Sequence, residues 1–196
     1  MKRIEDHFDP FPVLETNRIL LRPITTMDVE DMFQYCSVPE VARYATWDYH
    51  KSIEDTKGFV DFVLDRYKTD KVGPWGIQYK ETNKLIGSCS FVNWDNHCLR
   101  AELGYVLSTE YWNQGLMTEV VTRIVEYAFN ELELVRIEAK CHPENAGSAR
   151  VMEKSGMKFE GVLRKYIWAK GELQDVKLYS IISDELKDKM LIDLGD

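Results

Sequence analysis

The segment Val135-Arg136-Ile137-Glu138-Ala139-Lys140-Cys141 alternates apolar and charged residues without a break. Only an extended chain puts every second side chain on one face, so this run reads as a strand with Val135, Ile137, Ala139 and Cys141 inward. Helical patterns flank it on both sides. From Thr118 to about Leu134, the residues Val120, Val121, Ile124, Val125, Ala128, Phe129 and Leu132 form one broad apolar face. After the strand, "NAGSARVMEKSG" reads as a shorter helix, with Asn145 near its start and Gly156 as its stop. Each helix must cover its apolar face, and a half-apolar strand is the surface that can do so.

The remaining pattern fills in one mixed α+β sheet. Residues 1–13 read as an irregular lead-in, because Pro10 and Pro12 discourage regular structure. "NRILLRPIT" is a first strand. "TMDVEDMFQYCS" opens a helix with Thr26 as its cap, and "SIEDTKGFVDFVLDRYK" opens another from Ser52, with Phe59, Phe62, Val63 and Tyr67 at helical spacing. "PWGIQYKETNKLIGSCSFVNW" is a hairpin turning at Asn83, and "AELGYVL" adds a third strand to it. "KFEGVLRKYIWAKGELQDVKLYSII" is strand, Lys170-Gly171 turn, strand, and residues 184–196 form a charged helical tail. The order β-α-α-β-β-β-α-β-α-β-β has no linker or repeat, so residues 1–196 form a single domain.

Bulk properties narrow the function. A formal net charge of −8 argues against a general nucleic-acid partner, which presents a basic face. The four cysteines, Cys36, Cys89, Cys98 and Cys141, form no CxxC pair and have no histidine at metal-ligand spacing. Neither a disulfide framework nor a metal site is expected, and a reducing cytoplasm fits best. No run approaches the roughly 20 apolar residues of a membrane span, and "MKRIEDHFDPFPV" lacks the apolar core of a secretory signal.

The chemistry concentrates between residues 101 and 156. "YWNQGLMTE" puts a glycine turn directly before a helix, where unpaired N–H groups and the positive end of the macrodipole favour an anion such as a pyrophosphate. Gly115 making a turn and Thr118 capping the helix explain the same residues without a ligand. Neither a Gly-Lys-Ser/Thr ending nor GxGxxG is present, which sets aside a P-loop phosphotransferase. The succession "ELGYVL", "YWNQGLMTE", an alternating strand and "NAGSARVMEKSGMKFEG" resembles the GNAT superfamily of acyl-CoA-dependent N-acetyltransferases. Within it the likeness is to the RimJ/RimL group of ribosomal-protein N-terminal acetyltransferases, whose opening strand "LETNRILLRPIT" resembles.

The resemblance implies a twisted, mostly antiparallel sheet of about seven strands, with helices on both faces and a splayed central strand pair. It implies acetyl-CoA as co-substrate, bound by the main chain of Leu103, Tyr105, Val106 and Leu107, the turn Asn113-Gln114-Gly115-Leu116-Met117-Thr118, and Asn145, Ser148 and Lys154. Gly104 would belong to a bulge and the Val106 N–H would stabilise an oxyanion. Met117 stands where the family has a small residue, so its side chain must turn into the core. Met152 stands where relatives carry a tyrosine as thiol acid, and the resemblance passes that role to Ser148.

Glu102 is the candidate base; partnership with Arg100 or Arg136 is its plain alternative. Asn145 can hold water or the pantetheine amide, or simply cap its helix. The histidines His50, His97 and His142 form no nucleophilic triad. The aromatics and Asp48 of "YATWDYHKSIED" suit the amine side. The expected activity is direct acetyl transfer to a primary amine, a protein N-terminus or a small amine, by a monomer or homodimer. The alternative is an inactive acyl-CoA-binding or sensing module.

Overall fold

The computed structural model describes residues 3–185. Its frame is one sheet of eight strands: β1 (Leu14–Glu15), β2 (Ile19–Pro23), β3 (Trp75–Tyr79), β4 (Leu85–Asp95), β5 (Arg100–Leu107), β6 (Arg136–Cys141), β7 (Lys158–Ala169) and β8 (Glu172–Ile182). They lie in the order β1-β2-β3-β4-β5-β6-β8-β7. Seven match the expected runs, and the eighth is the two-residue β1, too short to leave a period. All neighbours are antiparallel except β5 and β6, which run parallel. A parallel pair needs a crossover, and the helix α4, introduced below, supplies it.

The helices are α1 (Val29–Cys36), α2 (Pro39–Ala42), α3 (Ile53–Thr69), α4 (Leu116–Asn130) and α5 (Ala146–Lys154). The larger core joins α4 and α5 to Ala101, Leu103 and Leu107 of β5 and Ile137, Ala139 and Cys141 of β6. A second core gathers α1 and α3 around Leu85, with Val106 packed against it. Side chains alternate along β5, so the two cores occupy opposite faces of the sheet.

Several local expectations need correction. The lead-in holds a 3-10 turn over Ile4–Phe8 that buries both end residues, because its two apolar side chains outweigh the disorder its prolines suggest. Thr26 does not cap α1. A 3-10 turn occupies Thr26–Asp28, and Asp28 accepts from the Thr25 N–H instead. Ser52 does cap α3, in a reciprocal box with Asp55. Yet Phe59 and Phe62 face solvent, while Thr56, Val60 and Val63 are buried, so the helix turns a narrower stripe inward than its spacing implies. Val135 lies outside β6 and is exposed. Of the expected tail, residues 186–196 lie outside the described residues.

Asp28 is buried and meets the Arg22 guanidinium with two bonds, 2.7 and 2.9 Å. Burial works to raise its proton affinity. The hydrogen bonds from Arg22 and the Thr25 N–H, with the Arg22 charge, outweigh it and hold the carboxyl below its ordinary value. A carboxyl depressed by folding adds stability that is fully present above its unfolded pKa, about 3.9, and is lost as pH falls through the folded value. Asp28→Asn is expected to cost roughly 3 kcal/mol in denaturant melts at pH 7. The gap to wild type should narrow below about pH 4.

Candidate active site

β5 and β6 pair from Arg100↔Arg136 to Leu103↔Ala139, and then part. β5 continues to Leu107 along β4, and β6 continues to Cys141 along β8, so each stays anchored on its far side. The parting leaves an opening lined by backbone. Strand parity says which groups face it: the Leu99 carbonyl accepts from Val135 on the β6 side, while the Ser108 N–H donates to Ile86 on the β4 side. Alternate residues point opposite ways, so Tyr105 and Leu107 turn their N–H and C=O to the opening. Val106 faces Ser88 of β4. Val106, expected from sequence to offer its N–H to an oxyanion, turns that N–H to β4 and away from the opening. Gly104 is not a bulge either. The register shift lies on β4 around Val92, and a Cβ at Gly104 would fall 2.7 Å from Val92 Cγ1.

The turn before α4 is braced rather than loose. Trp112 Nε1 donates to the Leu107 carbonyl at 2.8 Å, tying the turn to the end of β5. Asn113 (φ 59°) and Gly115 (φ 77°) take left-handed conformations, which asparagine tolerates and glycine adopts freely. Gln114 donates from its side chain to the Glu110 carbonyl. Gly115 is the N-cap of α4, with no side-chain cap bond, so no side chain caps the first-turn amides of Leu116, Met117 and Thr118. Thr118 is thus inside the helix and not its cap. Leu116 and Met117 are buried in the larger core, the direction Met117 needs if its amide is to face outward.

Sequence reading missed Arg18. Its guanidinium donates to the Gln114 carbonyl at 3.0 Å, and its Nη2 and Nε reach Glu119 at 2.7 and 2.8 Å. Glu119 also accepts from the Arg18 N–H and the Thr16 hydroxyl. These bonds span about a hundred residues of chain and pin the N-terminus of α4 to the β1–β2 turn.

On the far wall, Asn145 caps α5 by accepting from the Ser148 N–H at 3.0 Å. That is the plain capping role, and it leaves the NH₂ of the same amide uncommitted by that bond. The Ser148 hydroxyl lies 2.9 Å from the Tyr105 hydroxyl, which bridges from β5 across the parting. Burial pushes the Tyr105 phenol well up, so it stays protonated. Met152 is buried in the core and offers no proton donor. Lys154 is exposed in the last turn of α5, about 9 Å along the axis from Ser148.

Glu102 sits on the opposite face, at the same parting. It pairs with neither arginine considered from sequence. Its Oε2 lies 2.5 Å from Lys140 Nζ, while Arg100 and Arg136 engage Glu138, and Arg136 also engages Glu160. Bonds from Arg136 and Ser180 pull the Glu160 carboxyl down to about 2. Burial tends to lower the Lys140 pKa, but bonding and charge from Glu102, with help from Tyr166, raise it above its usual value. The α2–α3 segment closes over this face. Tyr44 stacks on His142 at 5.1 Å, Lys170 donates to the Ala42 and Arg43 carbonyls, and His50 Nδ1 lies 2.7 Å from Thr56 Oγ1. Among the described residues no group of His, Cys, Asp and Glu could hold a metal ion.

Comparison with known proteins identifies this architecture. A family model described as acetyltransferase (GNAT) domain matches residues 18–158. The chain is 37% identical over 172 residues to the "Uncharacterized N-acetyltransferase YoaA" of Bacillus subtilis (strain 168), covering 88% of this chain and 97% of that one. It is 30% identical over 106 residues to the ribosomal-protein-serine acetyltransferase of Escherichia coli (strain K12), covering 54% and 59% respectively. The crystal structure of a GNAT-family acetyltransferase from Bacillus anthracis superposes with a TM-score of 0.79 at 30% identity, covering 88% of this chain and 99% of that one.

The left-handed turn yields a structural expectation. Gly115→Ala puts a Cβ at φ 77°, where only Arg18 Nη2 lies near, at 3.7 Å, so the cost is conformational and not steric. Thermal melts should show a loss of about 1–2 kcal/mol, a fall of roughly 2–4 °C per kcal/mol for a chain of this size.

Proposed function

This chain belongs to the acetyltransferase (GNAT) family, and we propose that it moves an acetyl group from acetyl-CoA directly to a primary amine in a ternary complex. One observation carries the reading. A helix N-terminus without a side-chain cap is tied by Trp112 to the end of a strand that runs unpaired on one edge. Such a helix start favours phosphate oxygens, and such an edge favours an extended chain bearing amides. Asn113 to Thr118 would hold the diphosphate, and Tyr105 and Leu107 the pantetheine arm, whose edge begins just past Leu103, the last β5 residue still paired with β6. Acetyl-CoA, when bound, supplies the activated acetyl group as a thioester.

The chain's own residues divide the remaining work. Glu102 accepts the proton that the acceptor nitrogen must lose, directly or through one water. The N–H groups of Tyr105 and Leu107 are the edge donors for a developing negative oxygen. Ser148 donates toward the leaving sulfur, and the protonated Tyr105 hydroxyl orients it. Asn145 fixes the turn that presents Ser148. Lys154 adds positive charge at the rim.

Transfer without an acyl-cysteine is supported by the thiols. Burial pushes Cys36 and Cys89 up to about 12 and Cys141 to about 11, which keeps them protonated and poorly nucleophilic. For the acceptor we favour a protein N-terminal amine, with a small amine second; likeness to a ribosomal-protein-serine acetyltransferase supports a protein acceptor.

Calorimetry is expected to show acetyl-CoA binding that Gly115→Val weakens and Glu102→Gln leaves unchanged. With an N-terminal serine or alanine peptide, thiol release by Glu102→Gln should fall roughly 10²–10⁴-fold in kcat. Tight acetyl-CoA binding by the wild type with no turnover on peptides or small amines would instead identify an acyl-CoA-binding module.

A further inference from the structure

The acceptor side of the parting carries a cation for which general-base chemistry has no use. Lys140 follows Ala139, the last β6 residue paired with β5, and its Nζ sits 2.5 Å from Glu102 Oε2. The same Nζ lies 4.9 Å from the centroid of the Tyr166 ring. The Lys140 and Glu102 side chains are 12% and 19% exposed, so the pair is held well out of water. A carboxylate with an aromatic ring is the setting that would grip an incoming ammonium. Here the chain fills that position with its own. Glu138 and Glu160 are engaged by Arg100 and Arg136, which leaves Lys140 to Glu102.

We propose that Lys140 is a specificity-determining positioning residue: by occupying the cation position beside Glu102, it makes the site take its acceptor as a neutral amine and so favours weakly basic amines. The inference rests on the reading that Glu102 faces the acceptor. A carboxylate standing alone would attract any ammonium. A carboxylate already neutralised gains little from a second cation, and the Lys140 charge repels it. The pair uses Oε2, and Oε1 is the second oxygen through which Glu102 can accept the acceptor's proton. Near pH 7.5 an α-amine of pKa about 7.8 is neutral in roughly a third of molecules, and an ε-amine of pKa about 10.4 in about one in a thousand. The neutralised site therefore discriminates against lysine side chains and polyamines by their basicity alone.

The test measures kcat and KM separately for wild type, Lys140→Met and Lys140→Arg, following thiol release from acetyl-CoA. The acceptors are a lysine-free peptide with a free N-terminus, spermidine and Nα-acetyl-lysine amide. In Lys140→Met, KM for the two strongly basic amines should fall roughly tenfold relative to the peptide, the scale of one pKa unit, while Lys140→Arg keeps the wild-type ranking. An equal loss for all three amines, or an unchanged ranking with turnover intact, overturns the inference and leaves the acetyltransferase reading standing. No thiol release by the wild type with any of the three overturns that reading and the inference together. Should Lys140→Met fail to fold, Lys140→Gln removes the same charge while keeping a polar group beside Glu102. A KM shift toward the basic amines then supports the role, and an unchanged ranking overturns it.

Discussion

Two parallel strands that begin as partners and then separate set the terms for everything else in this molecule. β5 and β6 share hydrogen bonds only as far as Leu103 and Ala139. Beyond that point each would expose unpaired backbone groups, a state a protein interior does not tolerate without partners. The separation persists because both strands are held from outside, β5 by β4 and β6 by β8. The crossover helix α4 keeps them parallel, and Trp112 takes up the carbonyl of Leu107 at the point where β5 ends. What remains along the opening is an edge of main-chain donors and acceptors, the natural complement of an extended, amide-bearing arm.

The sheet's two faces then acquire different characters at one place. On the α4 and α5 face a largely apolar wall carries the Tyr105–Ser148 hydroxyl pair, with the Asn145 cap beside it. On the other face lie Arg100, Glu102, Arg136, Glu138 and Lys140. Removing charges from water is expensive unless each finds a partner of good geometry, and the register of β5, β6 and β7 provides those partners. The Tyr105–Ser148 hydroxyl pair on one face and the Glu102 carboxylate on the other thus lie either side of one backbone edge.

Distant segments fix this arrangement. Arg18 and Thr16 clamp Glu119 and so aim the N-terminus of α4. Lys170, at the tip of the β7–β8 hairpin, holds the carbonyls of Ala42 and Arg43 at the end of α2 and ties the segment that follows to that hairpin. The site is therefore assembled from both ends of the chain, although its motifs lie between residues 101 and 156.

The linear sequence alone determined seven of the eight strands, the helices α1, α3, α4 and α5, their order and the turn at Gly115, but not the short β1 and α2. Alternation and helical spacing are written by residues a few positions apart, and covalent geometry carries them directly into local structure. It also pointed to Glu102, Asn145 and Ser148, through a resemblance resting on motif order. Tertiary structure alone decided which side chains meet and which way each peptide faces. Lys140, and not Arg100 or Arg136, neutralises Glu102 across 38 residues, and Arg18 finds Glu119 across 101. The parity of β5 turns Tyr105 and Leu107, and not Val106, to the opening. Each of these depends on the register of strands distant in sequence, and one residue of slip reverses every direction in a strand.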